Sequence, residues 1–151
     1  MENFKQIKKE IEKFFQKTKL DIKLEVFNPE DNTVPVKIRT EEPKILIGQN
    51  GQTLSEIQRL LKVVLRKNFP EERFFINLDV NNYKEKKVEY LRETARSMAD
   101  EVVLTGKEKK LEPMPAYERR IIHLELAERG DVTTESAGEE PERGIVIRPC
   151  S

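Results

Sequence analysis

Three groupings of residues in this chain have the types and spacing to do chemistry. The first is Ile47-Gly48-Gln49-Asn50-Gly51-Gln52-Thr53-Leu54. Two glycines bracket two polar residues at the mouth of an amphipathic helix pattern. Glycine has no Cβ, so positive φ is open to it and another polymer's backbone can pass close by. The helix that starts there presents free N–H groups and a partial positive charge, which suits an anionic strand, with nucleic acid the leading candidate. A tight turn between two helices, with glycine chosen only for its φ, is the other reading. A P-loop is excluded, because the Gly-x-x-x-x-Gly-Lys-Ser/Thr spacing and its lysine are missing.

The second grouping is Tyr117-Glu118-Arg119-Arg120-Ile121-Ile122-His123. Arg119 and His123 are four apart, so a helix puts them on one face, one turn from each other. A guanidinium grips phosphate oxygens as a fork, and an imidazole donates to a phosphate or stacks on a base. Taken alone, the same spacing also describes a solvated basic turn. The third grouping is Lys84, Lys86, Lys87, Arg92 and Arg96. Glu85, Glu89 and Glu93 are interspersed with these cations, which describes a solvated helix face.

Catalytic groupings are not evident. There is one histidine, and local sequence suggests no Cys–His or Ser–His–Asp set. Metal-ligand clusters are absent. Thr134, Glu139 and Glu140 are the only group that a nuclease role could use, and turn polarity explains them more simply. The expectation is therefore a binding protein without catalytic residues, metal or cofactor.

The 151 residues carry 28 Lys/Arg and 28 Asp/Glu, a net charge of zero, so any nucleic-acid binding must rest on local patches. The charge is uneven: residues 81–123 hold ten Lys/Arg against eight Asp/Glu, and residues 124–151 hold three against seven. Cys150 is the only cysteine, which rules out a disulfide framework within one chain. The start has no apolar run of signal-peptide type, and nothing approaches a membrane span of about 18 apolar residues. A cytoplasmic setting is expected.

Elements that would position these groups follow from periodicity. Phe4, Ile7, Ile11, Phe14 and Phe15 form a helical stripe. Leu20–Val26 alternates as a strand, Asn28–Asn32 is a turn cluster, and Val34, Val36 and Ile38 alternate again, which predicts a hairpin. Pro35 lacks a donor N–H and predicts a free edge or a bulge in its strand. Glu42-Pro43 can open a short helix through Ile47. Leu54, Ile57, Leu61, Val64 and Leu65 mark a longer helix, and Phe74, Ile76 and Leu78 a third strand. After a break at Asn81-Asn82 a long helix runs to about Gly106. A short strand is expected in Lys107–Glu112. A helix follows over Ala116–Glu128, with Ile121, Ile122, Leu124 and Leu126 inside. A final hairpin has arms Val132–Ser136 and Gly144–Arg148.

With the glycines lodged in a strand–helix–helix–strand unit, the first half resembles a type II KH domain. In such a domain this loop clamps the backbone of about four nucleotides. The family often has Lys or Arg between the glycines, where this chain has neutral Gln49 and Asn50. Phosphate contact would then come from backbone N–H groups and the flanking Lys44, Arg59 or Lys62. Further on, Pro113–His123, Asp131–Pro141 and Arg143–Ile147 resemble the single-strand nucleic-acid-binding domain named for its Arg-x-x-x-His motif. The order of the two matches the bacterial Jag (KhpB) family, whose basic signature maps onto Arg119 and His123, with Arg120 beside them. Members usually carry a further N-terminal domain. Here the chain begins almost directly with the KH helix, so roles that depend on that domain are not implied.

The expectation is an α+β protein of two small tandem modules. Residues 1–80 form a type II KH-like domain, ordered helix-strand-strand-helix-helix-strand. Residues 81–151 form an Arg-xxx-His domain, helices packed on a small sheet. The resemblance implies single-stranded RNA binding, or single-stranded DNA binding, through Lys44, Ile47, Gly48, Gln49, Asn50, Gly51, Arg119, Arg120 and His123. It also implies a post-transcriptional role linked to cell division or envelope synthesis. The alternative is a protein-interaction scaffold whose KH half dimerises or docks to a small single-KH partner.

Overall fold

A computed structural model describes residues 2–150, and its contacts divide into two compact units, one ending at Lys84 and one beginning at Glu85. Both are α+β. The first unit runs α1 (Phe4–Gln16), β1 (Lys23–Val26), β2 (Thr33–Arg39), α2 (Pro43–Ile47), a 3-10 turn (Gln49–Gly51), α3 (Gln52–Asn68) and β3 (Phe75–Val80).

The sheet order is β1-β2-β3. β1 and β2 form an antiparallel hairpin, with Val26 opposite Val36. β3 lies parallel to β2, pairing Val34 with Ile76, Val36 with Leu78 and Ile38 with Val80. A parallel pair needs a crossover, and the α2–turn–α3 segment is that crossover. The inward residues of β2 and β3 join Ile7, Ile11 and Phe15 of α1 and Leu54, Leu61 and Leu65 of α3 in one buried cluster. Each such Leu, Ile or Phe side chain contributes about 1.5–3 kcal/mol when fully buried.

The free edge expected at Pro35 is not there, since β2 is the central strand. Proline is accommodated by register. Pro35 O accepts from Phe27 N at 2.9 Å, so its own nitrogen also faces the β1 side, just beyond the end of β1 at Val26. The missing donor costs no ladder bond there. At the other end of the sheet, Asn81 ties β2 to β3: its Oδ1 accepts from Thr40 N at 3.0 Å and its Nδ2 donates to Thr40 O at 2.9 Å. Asn81 and Asn82 both take positive φ, which asparagine tolerates better than other non-glycine residues.

The long helix α4 (Tyr83–Thr105) follows, its first two residues belonging to the first unit. The second unit continues with β4 (Lys109–Lys110), α5 (Ala116–Leu126), β5 (Val132–Ala137) and β6 (Gly144–Pro149). Its sheet is antiparallel throughout, in the order β4-β6-β5. Central β6 supplies Ile145 and Ile147 to a core completed by Leu91, Ala95, Ala99 and Val102 of α4 and Ile122 and Leu126 of α5. Leu124, expected inside, is 64% exposed. Ile122 and Leu126 are one turn apart on the inward stripe, and a residue midway between them must point away.

Candidate nucleic-acid interface

The glycine loop is held open by three residues of positive φ. Gly48 has φ 71 and ψ −175, Asn50 φ 55 and Gly51 φ 77. Gly48 has a second constraint: a Cβ on it would stand 2.0 Å from Thr53 Oγ1. A Cβ on Gly51 would come 3.0 Å from Cε1 of Tyr83. Neither Thr53 nor Tyr83 carries a signal of this role in the sequence. Between the glycines, Gln49 and Asn50 are exposed and bring no charge. No side chain caps the start of α3, which leaves first-turn N–H groups and the positive end of the helix dipole facing outward.

Around this loop Lys44 is exposed and Ile47 is half-buried against the first core. Leu54, expected beside an apolar groove, is only 4% exposed and belongs to the core behind the loop. Arg59 is exposed, while Lys62 Nζ sits 5.3 Å from the centre of the Phe75 ring. At the outer edge of β3, Leu78 N donates to Gln58 Oε1 at 3.0 Å. Lys84 Nζ donates to Asn77 Oδ1 at 2.8 Å, and burial lowers its pKa despite the nearby Asp79 carboxylate. Gln58 and the edge it occupies gave no periodic signal.

In the second unit α5 turns Arg119 and His123 to the same side, as their spacing requires. Arg119 is 8% exposed. Its Nη1 donates to Met114 O at 2.8 Å and meets Glu140 Oε1 at 2.9 Å. This guanidinium is therefore not a free fork; a phosphate there would have to displace Glu140, which is itself 61% exposed. Arg120, next along the helix, is exposed.

His123 lies between two hydroxyls, Nδ1 at 2.7 Å from Thr134 Oγ1 and Nε2 at 2.9 Å from Ser136 Oγ. Thr134 and Ser136 are two apart on β5, so they share a face of the strand. A hydroxyl both donates and accepts, so this pair suits either neutral tautomer and the imidazolium too. Burial, and then the charge of Arg119, lower the histidine pKa and hold the ring neutral. One residue before Arg119, Glu118 is 4% exposed, and its Oε1 lies 3.3 Å from Lys87 Nζ without accepting a well-aligned hydrogen bond.

The basic stripe of α4 is largely spent on ion pairs. Arg92 and Arg96 both meet Glu125, Arg96 also meets Glu89, and Lys87 faces Glu118. Of the three residues considered for a nuclease role, Thr134 serves His123 and Glu140 serves Arg119. Among the described residues no helix is long and apolar enough to cross a membrane.

Comparison with known proteins matches this geometry. A KH domain model matches residues 4–90, and the model of the Arg-xxx-His domain, the family named for that motif, matches residues 89–149. The chain is 38% identical over 128 residues to the RNA-binding protein KhpB of Clostridium symbiosum, covering 85% of this chain and 57% of that one. It is 39% identical over 108 residues to KhpB of Lactiplantibacillus plantarum, covering 72% and 33%. With KhpB of Bacillus subtilis the figures are 38% over 117 residues, covering 76% and 56%. The chain thus spans little more than half, or a third, of these relatives' own lengths. The two matches define a KH domain followed by an Arg-xxx-His domain. The chain belongs to the Jag (KhpB) family.

Proposed function

We propose that the chain binds single-stranded RNA through two sites and catalyses nothing. A KH half over residues 1–80 lays the strand's backbone across Gly48–Gly51. An Arg-xxx-His half over residues 81–151 engages phosphate through Arg120 and, once Glu140 is displaced, through Arg119, with His123 in contact with a phosphate or a base. The observation that carries the reading is the loop itself. Gly48 is locked under Thr53 in a conformation only glycine takes readily, and α3 opens uncapped behind two exposed, uncharged residues. The names of the relatives, RNA-binding protein KhpB, support RNA over DNA. On the same footing the setting is cytoplasmic, and the role is post-transcriptional control linked to cell division or envelope synthesis.

The test is titration of a labelled single-stranded RNA against the full chain. Gln49→Asp with Asn50→Asp puts two carboxylates where the backbone should lie, and affinity is expected to fall at least tenfold. Arg119→Ala with His123→Ala is expected to weaken binding in the same assay. Unchanged affinity in folded variants rejects the site concerned.

One observation favours a second reading for the KH half. Because Gln49 and Asn50 are neutral, that half has little electrostatic pull on RNA, and it could instead dimerise or dock to a small single-KH protein. Light scattering with and without RNA separates the two: RNA-independent assembly that survives the loop substitutions supports docking.

A further inference from the structure

One surface of the first unit is unused by this reading: the outer face of the β1-β2-β3 sheet. α1 and α3 bury their apolar residues against the inward side chains of the strands. The alternate residues face away, and none of the unit's helices packs on them. That outer face carries two exposed aromatic rings, Phe27 at 39% and Phe75 at 59%. Both are absent from the hydrophobic cluster beneath.

Register fixes their spacing. Phe27 continues β1 and bonds through its N–H to Pro35 O, so it stands beside Pro35. Phe75 pairs with Thr33, on the next strand over and two residues along from Pro35. Strand spacing of about 4.8 Å and a rise of about 3.3 Å per residue put the two rings about 12 Å apart. One planar base cannot cover both, but two bases of one strand can. Each ring already has a cation beside it: Lys37 Nζ is 5.6 Å from the centre of Phe27, and Lys62 Nζ is 5.3 Å from that of Phe75.

Charge separates the possible occupants. Lys23, Lys37, Arg39 and Lys62 serve this face against Glu25 and Asp79, four cations to two acids, in a chain whose net charge is zero. A protein partner seated here would strip water from those lysines with rings too far apart to form one apolar patch. A nucleic-acid strand uses both features, since bases stack on separated rings and phosphates take the cations.

We propose that the outer face of this sheet is a further binding surface for single-stranded RNA. Phe27 and Phe75 each stack on a base, and Lys37, Arg39 and Lys62 meet the phosphates. The proposal rests on the RNA-binding reading above and adds a site separate from the glycine loop.

The chain has no tryptophan, so Phe75→Trp creates a single reporter on this face. A fluorescein-labelled single-stranded 20-mer RNA of mixed sequence is titrated with that variant, reading RNA anisotropy; an unlabelled copy of the same RNA is used to read tryptophan emission. The expected result is a rise in anisotropy with quenching of the tryptophan at the same midpoint. Phe27→Ala with Phe75→Ala is expected to lower affinity about tenfold or more, and both positions are exposed enough for the variant to fold, which circular dichroism verifies. If anisotropy rises, the tryptophan stays unquenched and the double variant binds as before, the surface is not used and the proposal falls while the RNA-binding reading stands. If anisotropy never rises, the RNA-binding reading falls and takes this proposal with it. If the double alanine variant changes only the mass seen by light scattering, the face is a protein contact and the proposal is overturned.

Discussion

At the scale of single residues, Gly48 and His123 are the positions whose behaviour is most sharply determined. Gly48 combines positive φ, extended ψ and a Thr53 oxygen where a Cβ would go. A backbone of that kind costs of order 1–3 kcal/mol for other residues, and the clash adds to it. Gly48→Ala is expected to lower the denaturation midpoint of the first unit by more than Gly51→Ala, because Gly51 faces only the edge of a tyrosine ring. Equal midpoints would mean that the loop relaxes freely. His123 has its pKa lowered by burial and by Arg119. As pH falls through the ordinary histidine range, the unfolded chain takes up the proton first, so folded-state stability declines toward lower pH. Thermal melts between pH 7.5 and 5.5 should show this loss in the second unit, and His123→Gln should flatten it. Glu140→Gln removes the carboxylate held by Arg119 but leaves the Met114 bond. RNA affinity is expected to rise several-fold in that variant, and an unchanged dissociation constant would make Arg119 a structural residue.

At the scale of elements, the helices and strands were legible because their faces repeat. The stripes in α1 and α3 and the alternation in β2 and β3 gave those elements within a few residues of their ends. What was not legible depended on neighbours distant in sequence. Pro35 reads as an edge residue by its chemistry, yet β2 is central, because β1 ends one residue short of the proline's missing donor. Leu124 is apolar but lies off the stripe set by Ile122 and Leu126. Ile122→Ala is therefore expected to cost about 2–5 kcal/mol, whereas Leu124→Gln should be close to neutral; chemical denaturation compares them directly. The site was half legible in the same way. The spacing of Arg119 and His123 put them on one face of α5. Nothing local said that Glu140 would come back to the arginine, or that Thr134 and Ser136 would straddle the imidazole, since those contacts are made by a hairpin later in the chain.

At the scale of the whole molecule, zero net charge means that no general field draws RNA in, so affinity rests on joining local sites. Two linked weak sites gain by effective concentration only when one ligand reaches both. A lesion in the glycine loop should therefore cost much more on a 20-mer RNA than on a 5-mer, which engages one site at a time. Equal losses on both lengths would show that the sites act independently. Sequence composition already stated the absence of a basic field. The outer face of the first sheet, with four cations against two acids, became visible only when strand register gathered residues from three separate segments.

The buried setting of Arg119 has a final consequence. Its positive charge was stripped of water when the chain folded and was given a carboxylate in return. An arriving phosphate would make a swap of one anion for another at that position, with almost no net release of small ions. Sodium chloride should consequently do little to the Arg119 contribution, while the neighbouring, water-facing Arg120 should carry most of the sensitivity of the Arg-xxx-His half to ionic strength.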